Sequence, residues 1–242
     1  ILRLEADCPK YDQLKKDFLE NSPVIKKLRE DYADVLELLS NKTGRNVRNP
    51  EDVDYIYDLL FIQNNYYPGW PDWAQEGSKT LEDMRYLTAF SFQSICYTPE
   101  MQRLKGGPLL KELVKNLNDK QTGVMDKRRK FFMYSSHDTT VAVILHTMGV
   151  FDIQIPVYAS LIMLELRQIE SVGLNDTYHV KILLRNETNR DPYVLTVPNC
   201  GDPCTLETFN ELMKSNIPGN WNKECEPDLN YQLYETVGFN IG

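Results

Sequence analysis

Long apolar runs are missing from this sequence. Nothing in its 242 residues approaches the ~20 apolar residues that a transmembrane helix needs, and no signal-peptide pattern opens it. No membrane segment is therefore expected within it. A basic excess is missing too: 27 Lys and Arg stand against 35 Asp and Glu, for a net charge of -8 and a pI near 5.0. That balance excludes a nucleic-acid backbone or an anionic bilayer as the main partner, while an anionic substrate could still enter a local pocket. Histidine is scarce, with only His137, His146 and His179, and there are no repeats or low-complexity segments. The first residue is Ile1 rather than a methionine, so a mature, processed or partial chain is expected.

Five cysteines are present: Cys8, Cys96, Cys200, Cys204 and Cys225. "NCGDPCTL" places two of them four apart around Gly201 and Pro203, which suits a tight disulfide loop or half of a metal site. Zinc would want further Cys or His at a matching spacing, and none follows, so the disulfide is the stronger reading and no cofactor or metal is expected. Sequons at Asn41, Asn175 and Asn186 also suit an oxidising, lumenal compartment, although 18 asparagines would give about two by chance.

The organisation changes near residue 125, which predicts a mainly helical region over 1–125 and a strand-and-helix region over 126–242. In the first, Ser22-Pro23 starts a helix whose face Val24, Leu28, Tyr32, Val35 and Leu39 runs on to Gly44. Asn49-Pro50 opens the next, with Val53, Ile56, Tyr57 and Leu60 on its buried face. "YYPGWPDWAQEG" reads as a rigid loop whose tryptophans pack. Helices are expected around Leu81 to Tyr97 and Pro108 to Leu117, separated by "KGGP". In the second region Phe131 to Ser135 reads as a short strand buried on both faces, followed by a buried helix. "YASLIMLEL", "YHVKILLRN" and "PYVLTVP" read as strands joined by turns at Gly173 to Asp176 and Asn189 to Pro192, and a last helix spans Thr205 to Met213. The expected fold is α/β, a mixed sheet with flanking helices plus a helical cap.

The chemistry centres on "FMYSSHDTTVAVIL", where the pattern predicts that a strand gives way to a helix at His137 and Asp138. Adjacent residues cannot form the orienting pair of a catalytic triad, but at a helix start they point into one crevice as independent tools. A protonated imidazole neutralises an anion, and a carboxylic acid protonates a departing oxygen. The competing reading makes Asp138 a helix cap and His137 a space filler. A serine-nucleophile elbow lacks its glycines around Ser135 and Ser136.

"YSSHDTTV", "KGGPLL", "NETNRDPYVLTVPNCGDPC" and "IPGNWNKEC", in this order, resemble the histidine acid phosphatases of the prostatic, lysosomal and insect venom branch, from about Asp7 to Cys225. The resemblance implies a phosphoglycerate-mutase-like fold and a secreted or lysosomal acid phosphatase. Such an enzyme hydrolyses small phosphomonoesters through a phosphohistidine, without a cofactor and often as a homodimer. It implies that His137 binds phosphoryl oxygens, that Asp138 protonates the leaving alcohol, and that Cys8 pairs with Cys225 and Cys200 with Cys204. The family's third disulfide is not matched, since Leu161 stands where one partner would be.

One departure outweighs the rest. The family nucleophile lies in an R-H-G-x-R-x-P motif, and no histidine here follows an arginine; the three follow Ser136, Leu145 and Tyr178. The expectation is therefore the carboxyl-terminal part of a longer enzyme, inactive alone. The alternative is a secreted, catalytically dead homologue that binds a phosphorylated ligand. His146, mid-helix, and His179, on a strand, read as structural.

Overall fold

The structure is a computed structural model that describes residues 6–169, 177–187 and 189–228. It divides into two compact units, one built on Asp12–Ile95 and the other on Cys96–Asp152 and Pro156–Glu226 together with the residues up to Tyr11. The turn expected at Gly173 to Asp176 lies outside the described residues.

The first unit is helical. Its helices are α1 (Pro9–Asn21, from Asp12 onward), α2 (Pro23–Asp31), α3 (Ala33–Thr43), α4 (Pro50–Tyr66) and α5 (Lys79–Ser94). Local signals start them: the Ser22 hydroxyl accepts from the Ile25 N–H at 3.2 Å, and the Asp52 carboxylate from the Asn49 N–H at 3.0 Å. The single helix expected from Pro23 to Gly44 is broken at Tyr32, whose φ of -115° leaves the helical region. Two shorter helices result, and the buried face shifts to Ile25, Leu28, Val35, Leu36 and Leu39. α4 packs on α5 and buries Val53, Ile56 and Tyr57. Trp70 of the aromatic loop stacks on Tyr57 at 6.0 Å, a packing role.

The second unit begins with α6 (Pro99–Lys105) and α7 (Gly107–Gln121), divided at the "KGGP" stretch. Closeness explains both glycines. A Cβ on Gly106 would lie 1.9 Å from the Thr147 hydroxyl, and one on Gly107 would lie 2.4 Å from the Asn216 carbonyl. α8 (Asp138–Thr147) follows, buried almost all round. β1 (Leu161–Ile169) and β2 (Thr177–Arg185) form a long antiparallel ladder running from Leu161 opposite Arg185 to Ile169 opposite Thr177. β3 (Tyr193–Leu195) and β4 (Cys204–Thr205) both pair antiparallel with β2. Period-two side chains Val180, Ile182 and Leu184 of β2 enter a core with Leu110 of α7, Leu145 of α8 and Phe209 of α9 (Leu206–Met213). The short α10 (Trp221–Glu224) ends the unit.

The unit is tied by disulfides between Cys8 and Cys225 and between Cys200 and Cys204, while Cys96 is a buried thiol. The first closes a span of 217 residues, which restricts the unfolded chain by roughly 5 kcal/mol on a loop-entropy argument.

The architecture is a sheet with flanking helices, but one expected member of the sheet is corrected. Phe131–Ser135 is not a buried strand: it runs extended into α8, joins no ladder among the described residues, and leaves Phe131 and Met133 78% and 81% exposed. An apolar run becomes a strand buried on both faces only where other strands flank it. The four described strands pair among themselves and give this segment none, so every described pairing is antiparallel.

Candidate active site

His137 and Asp138 stand where the extended segment turns into α8. His137 occupies the N-cap position with an extended backbone (φ -93°, ψ 163°), and its carbonyl accepts from the N–H groups of Thr140 (3.0 Å) and Val141 (3.2 Å). Its ring makes no capping bond, so the helix start is closed by main chain and leaves the imidazole available. Asp138 follows in the first turn, where its Oδ1 accepts from the Thr139 N–H at 2.6 Å. Both residues are exposed. A carboxyl group and an imidazole beside the positive end of one helix dipole can, when protonated, take up an anion and pass a proton to it.

The stretch is held from two sides. The Ser136 hydroxyl donates to the Thr140 hydroxyl at 2.6 Å, which fixes the turn into α8. The Asn116 amide of α7 donates to the Tyr134 hydroxyl at 2.9 Å, with its carboxylate neighbour Glu112 at 3.4 Å from the same nitrogen. Burial, and then the negative charge of Glu112, push the Tyr134 phenol above its usual range, so it stays a neutral partner. Sequence periodicity missed this tether, because it joins polar groups 18 positions apart.

The other two histidines are not brought to this place. His146 lies inside α8, 5% exposed, with its ring stacked on Phe151 at 4.0 Å. His179 sits half-buried on β2, opposite Arg167. Among the described residues no three His, Cys, Asp or Glu side chains cluster to hold a metal ion, and no helix is long and apolar enough to cross a membrane. A groove of about 560 Å³ in the helical unit includes Arg29 in its lining, but that guanidinium donates to the Leu19 carbonyl (2.7 Å) and Asn49 Oδ1 (2.6 Å) and is spent on structure.

Of the sequons, Asn41 is exposed near the end of α3. Asn186 is half-buried, its Oδ1 accepting from the Val157 N–H (3.1 Å) and the Ser160 hydroxyl (2.6 Å). Asn175 lies outside the described residues, as does Thr188 of the third sequon.

Comparison with known proteins places these features in a family setting. The family pattern of the histidine phosphatase superfamily (branch 2) matches residues 1–185. The chain is 34% identical over 228 residues to "Prostatic acid phosphatase" of Rattus norvegicus, covering 93% of this chain and 58% of that one. It is 32% identical over 222 residues to "Lysosomal acid phosphatase" of Bos taurus, covering 90% and 50%. It is 29% identical over 238 residues to "Putative acid phosphatase 5" of Caenorhabditis elegans, covering 98% and 55%. The chain thus spans little more than half the length of the relatives it matches.

Proposed function

The chain belongs to the histidine phosphatase superfamily, branch 2, and on that premise we propose that it is part of an acid phosphatase that hydrolyses phosphomonoesters through a phosphohistidine. The observation that carries the proposal is the exposed His137-Asp138 pair at the start of α8, with an imidazole that no cap consumes. In this reading His137 in its cationic form holds the non-bridging oxygens, and Asp138 in its acid form gives its proton to the ester oxygen as the P–O bond breaks. The attacking histidine and the arginines that clamp the phosphoryl group lie outside these 242 residues. The bare Phe131–Tyr134 segment supports that division, since its apolar side chains suit a strand flanked by others. The cysteine pairs and the exposed Asn41 sequon support a secreted or lysosomal setting.

The test has two arms. The 242-residue chain alone should show no turnover of nitrophenyl phosphate above background. A longer transcript product that contains R-H-G-x-R-x-P should turn it over in the presence of a chelator and yield an acid-labile phosphohistidine on quenching. Turnover by the isolated chain would show that a nucleophile has been missed. A longer product without the motif, which binds phosphate esters but does not hydrolyse them, would favour the second reading of a binding homologue; the lack of any Arg-His pair in this sequence is what motivates it.

A further inference from the structure

Positive charge is concentrated at one place on this acidic chain, Lys127-Arg128-Arg129-Lys130, in the loop between α7 and α8. All four residues are exposed. Adjacent basic residues occur at only two other places, Lys15-Lys16 and Lys26-Lys27, and both lie inside helices, α1 and α2. Serine endoproteases that read basic residues hold them in acid-lined pockets and need the substrate extended. Helical main chain must unravel before it can be cut, whereas an exposed loop need not.

The loop has no helix to unravel, and opening one turn meets that requirement. A turn is closed by the Arg129 N–H donating to the Asp126 carbonyl at 3.0 Å, and Asp126 also pairs with Arg128 at 2.9 Å. Beyond Arg129 the chain is extended, and no main-chain hydrogen bond holds Lys130 to Ser136 among the described residues. Further restraints on the loop are the Arg128 N–H, which donates to Asp126 Oδ1 (2.9 Å), the Lys120 ammonium, which donates to the carbonyls of Lys127 (2.9 Å) and Arg129 (2.7 Å), and the Arg129 guanidinium 5.7 Å from the Phe132 ring. All are exposed contacts of modest strength.

We propose that Lys127–Lys130 is a proteolytic processing site, cut after Arg129 or Lys130 by a serine endoprotease of paired-basic specificity. The protease serine takes the acyl group as the peptide C–N bond breaks, and the departing nitrogen takes a proton to become a new amino terminus. Water then hydrolyses the acyl ester to a carboxylate, so one water is consumed per cut and no redox partner is needed. The disulfide gives the cut its consequence. Cys8 lies on the first product and Cys225 on the second, so the halves stay covalently joined while the segment leading to His137 gains a free end. The inference concerns the exposed Lys127–Lys130 loop of the 242-residue chain, and in the longer enzyme of the phosphatase reading, where strands would flank Phe131–Tyr134, it requires that this loop stay exposed.

The experiment treats the purified 242-residue chain with a paired-basic-specific serine endoprotease and, separately, with limiting trypsin. The expected first event is a single cut after Arg129 or Lys130, with an intact mass raised by one water. The halves should migrate together without reductant and apart with it. In the triple variant Arg128→Gln, Arg129→Gln, Lys130→Gln, with unchanged far-UV circular dichroism, that first cut should slow at least about tenfold. An earliest tryptic cut elsewhere, resistance to the paired-basic protease, equal cutting of the triple variant, or halves that part without reductant would each overturn the proposal.

Discussion

The helical unit on Asp12–Ile95 and the sheet-bearing unit on Cys96–Asp152 and Pro156–Glu226 are held together over different distances along the chain. In the helical unit the ties stay among neighbouring helices: ion pairs one turn apart at Lys27–Asp31 and Lys79–Asp83, Arg85–Glu76, and Lys15–Glu51 from α1 to α4. The sheet unit has one-turn pairs too, such as Lys115–Asp119, but adds ties that span most of its length. Arg103 meets Glu224, the Trp221 indole donates to the Leu104 carbonyl at 2.8 Å, Asn118 and Asn210 exchange amide hydrogen bonds, and Cys8 reaches Cys225. A unit of short ties is complete within its own stretch of sequence. A unit of long ties depends on distant segments for its pairing, and Phe131–Tyr134 is an apolar stretch that joins no strand pair among the described residues.

The largest effect expected from this difference is on chemistry. In a longer product that contains the nucleophile, Asp138→Asn should slow phosphoryl transfer from an alkyl phosphate within the ~10² to 10⁴ range typical of general acid catalysis. Nitrophenyl phosphate should suffer less, because its leaving group departs as the anion. His137→Ala should harm both esters alike. Single-turnover rates with the two esters make the comparison, and equal losses for Asp138→Asn would return that residue to a capping role at the start of α8.

A smaller effect separates the units by the reason each needs a glycine. At Gly106 the reason is space: an added Cβ meets both the Thr147 side chain and Val143 Cγ1 at 3.0 Å, where α6 packs on α8. Gly106→Ala should cost about 1 to 3 kcal/mol by overpacking. At Gly44, which ends α3 at a φ of 70°, nothing lies within 4 Å, and only the backbone objects. Gly44→Ala should cost about 1 kcal/mol. Denaturant midpoints for the two variants test the order, and a larger loss at Gly44 would mean that the contact of α6 with α8 yields easily.

Legibility followed the same division. Ser22, Asn49-Pro50 and Thr205 are local signals, and the helices that start after them are where the sequence puts them. The period-two run of β2 is likewise visible without its partners. The break at Tyr32 was not visible, because neither proline nor glycine marks it. α6 was overlooked although Thr98-Pro99 begins it in the usual way, with the Thr98 hydroxyl accepting from the Met101 N–H at 3.2 Å; it is too short to show a period. Phe131–Ser135 failed for a deeper reason. An apolar run states a preference for burial, but strand pairing is a property of the whole sheet. The place of His137-Asp138 at a helix start was legible, whereas the tether through Tyr134 and Asn116 needed the fold.

The smallest expected effect concerns acid stability, and it compares one ion pair from each unit. Arg103 meets Glu224 through two nitrogens at 2.6 and 3.0 Å, and the Gly219 N–H donates to the same carboxylate at 2.8 Å. Both side chains are less than a third exposed. Arg85 meets Glu76 in a similar two-point fashion at 2.8 and 2.9 Å, but the Glu76 side chain is 64% exposed. Hydrogen bonds from Arg103 hold the Glu224 carboxyl below its usual range, and those from Arg85 do the same for Glu76. A carboxyl whose folded pKa is depressed contributes stability that is present above its unfolded value of ~4.3 and is lost as pH falls through the folded value. Glu224→Gln should therefore lower stability at pH 7 by about 1 kcal/mol, since it removes a charge from a partly shielded two-point pair. The gap to the unsubstituted chain should narrow as pH falls below the unfolded value and close as it passes through the depressed folded value. Glu76→Gln should change the neutral-pH melting temperature less, because water already screens that pair. Melting temperatures of both variants from pH 3 to pH 7 decide the matter. A loss at Glu76 equal to that at Glu224, or a Glu224→Gln gap that does not narrow at all between pH 7 and pH 3, would break the contrast between the long-tied and the short-tied unit.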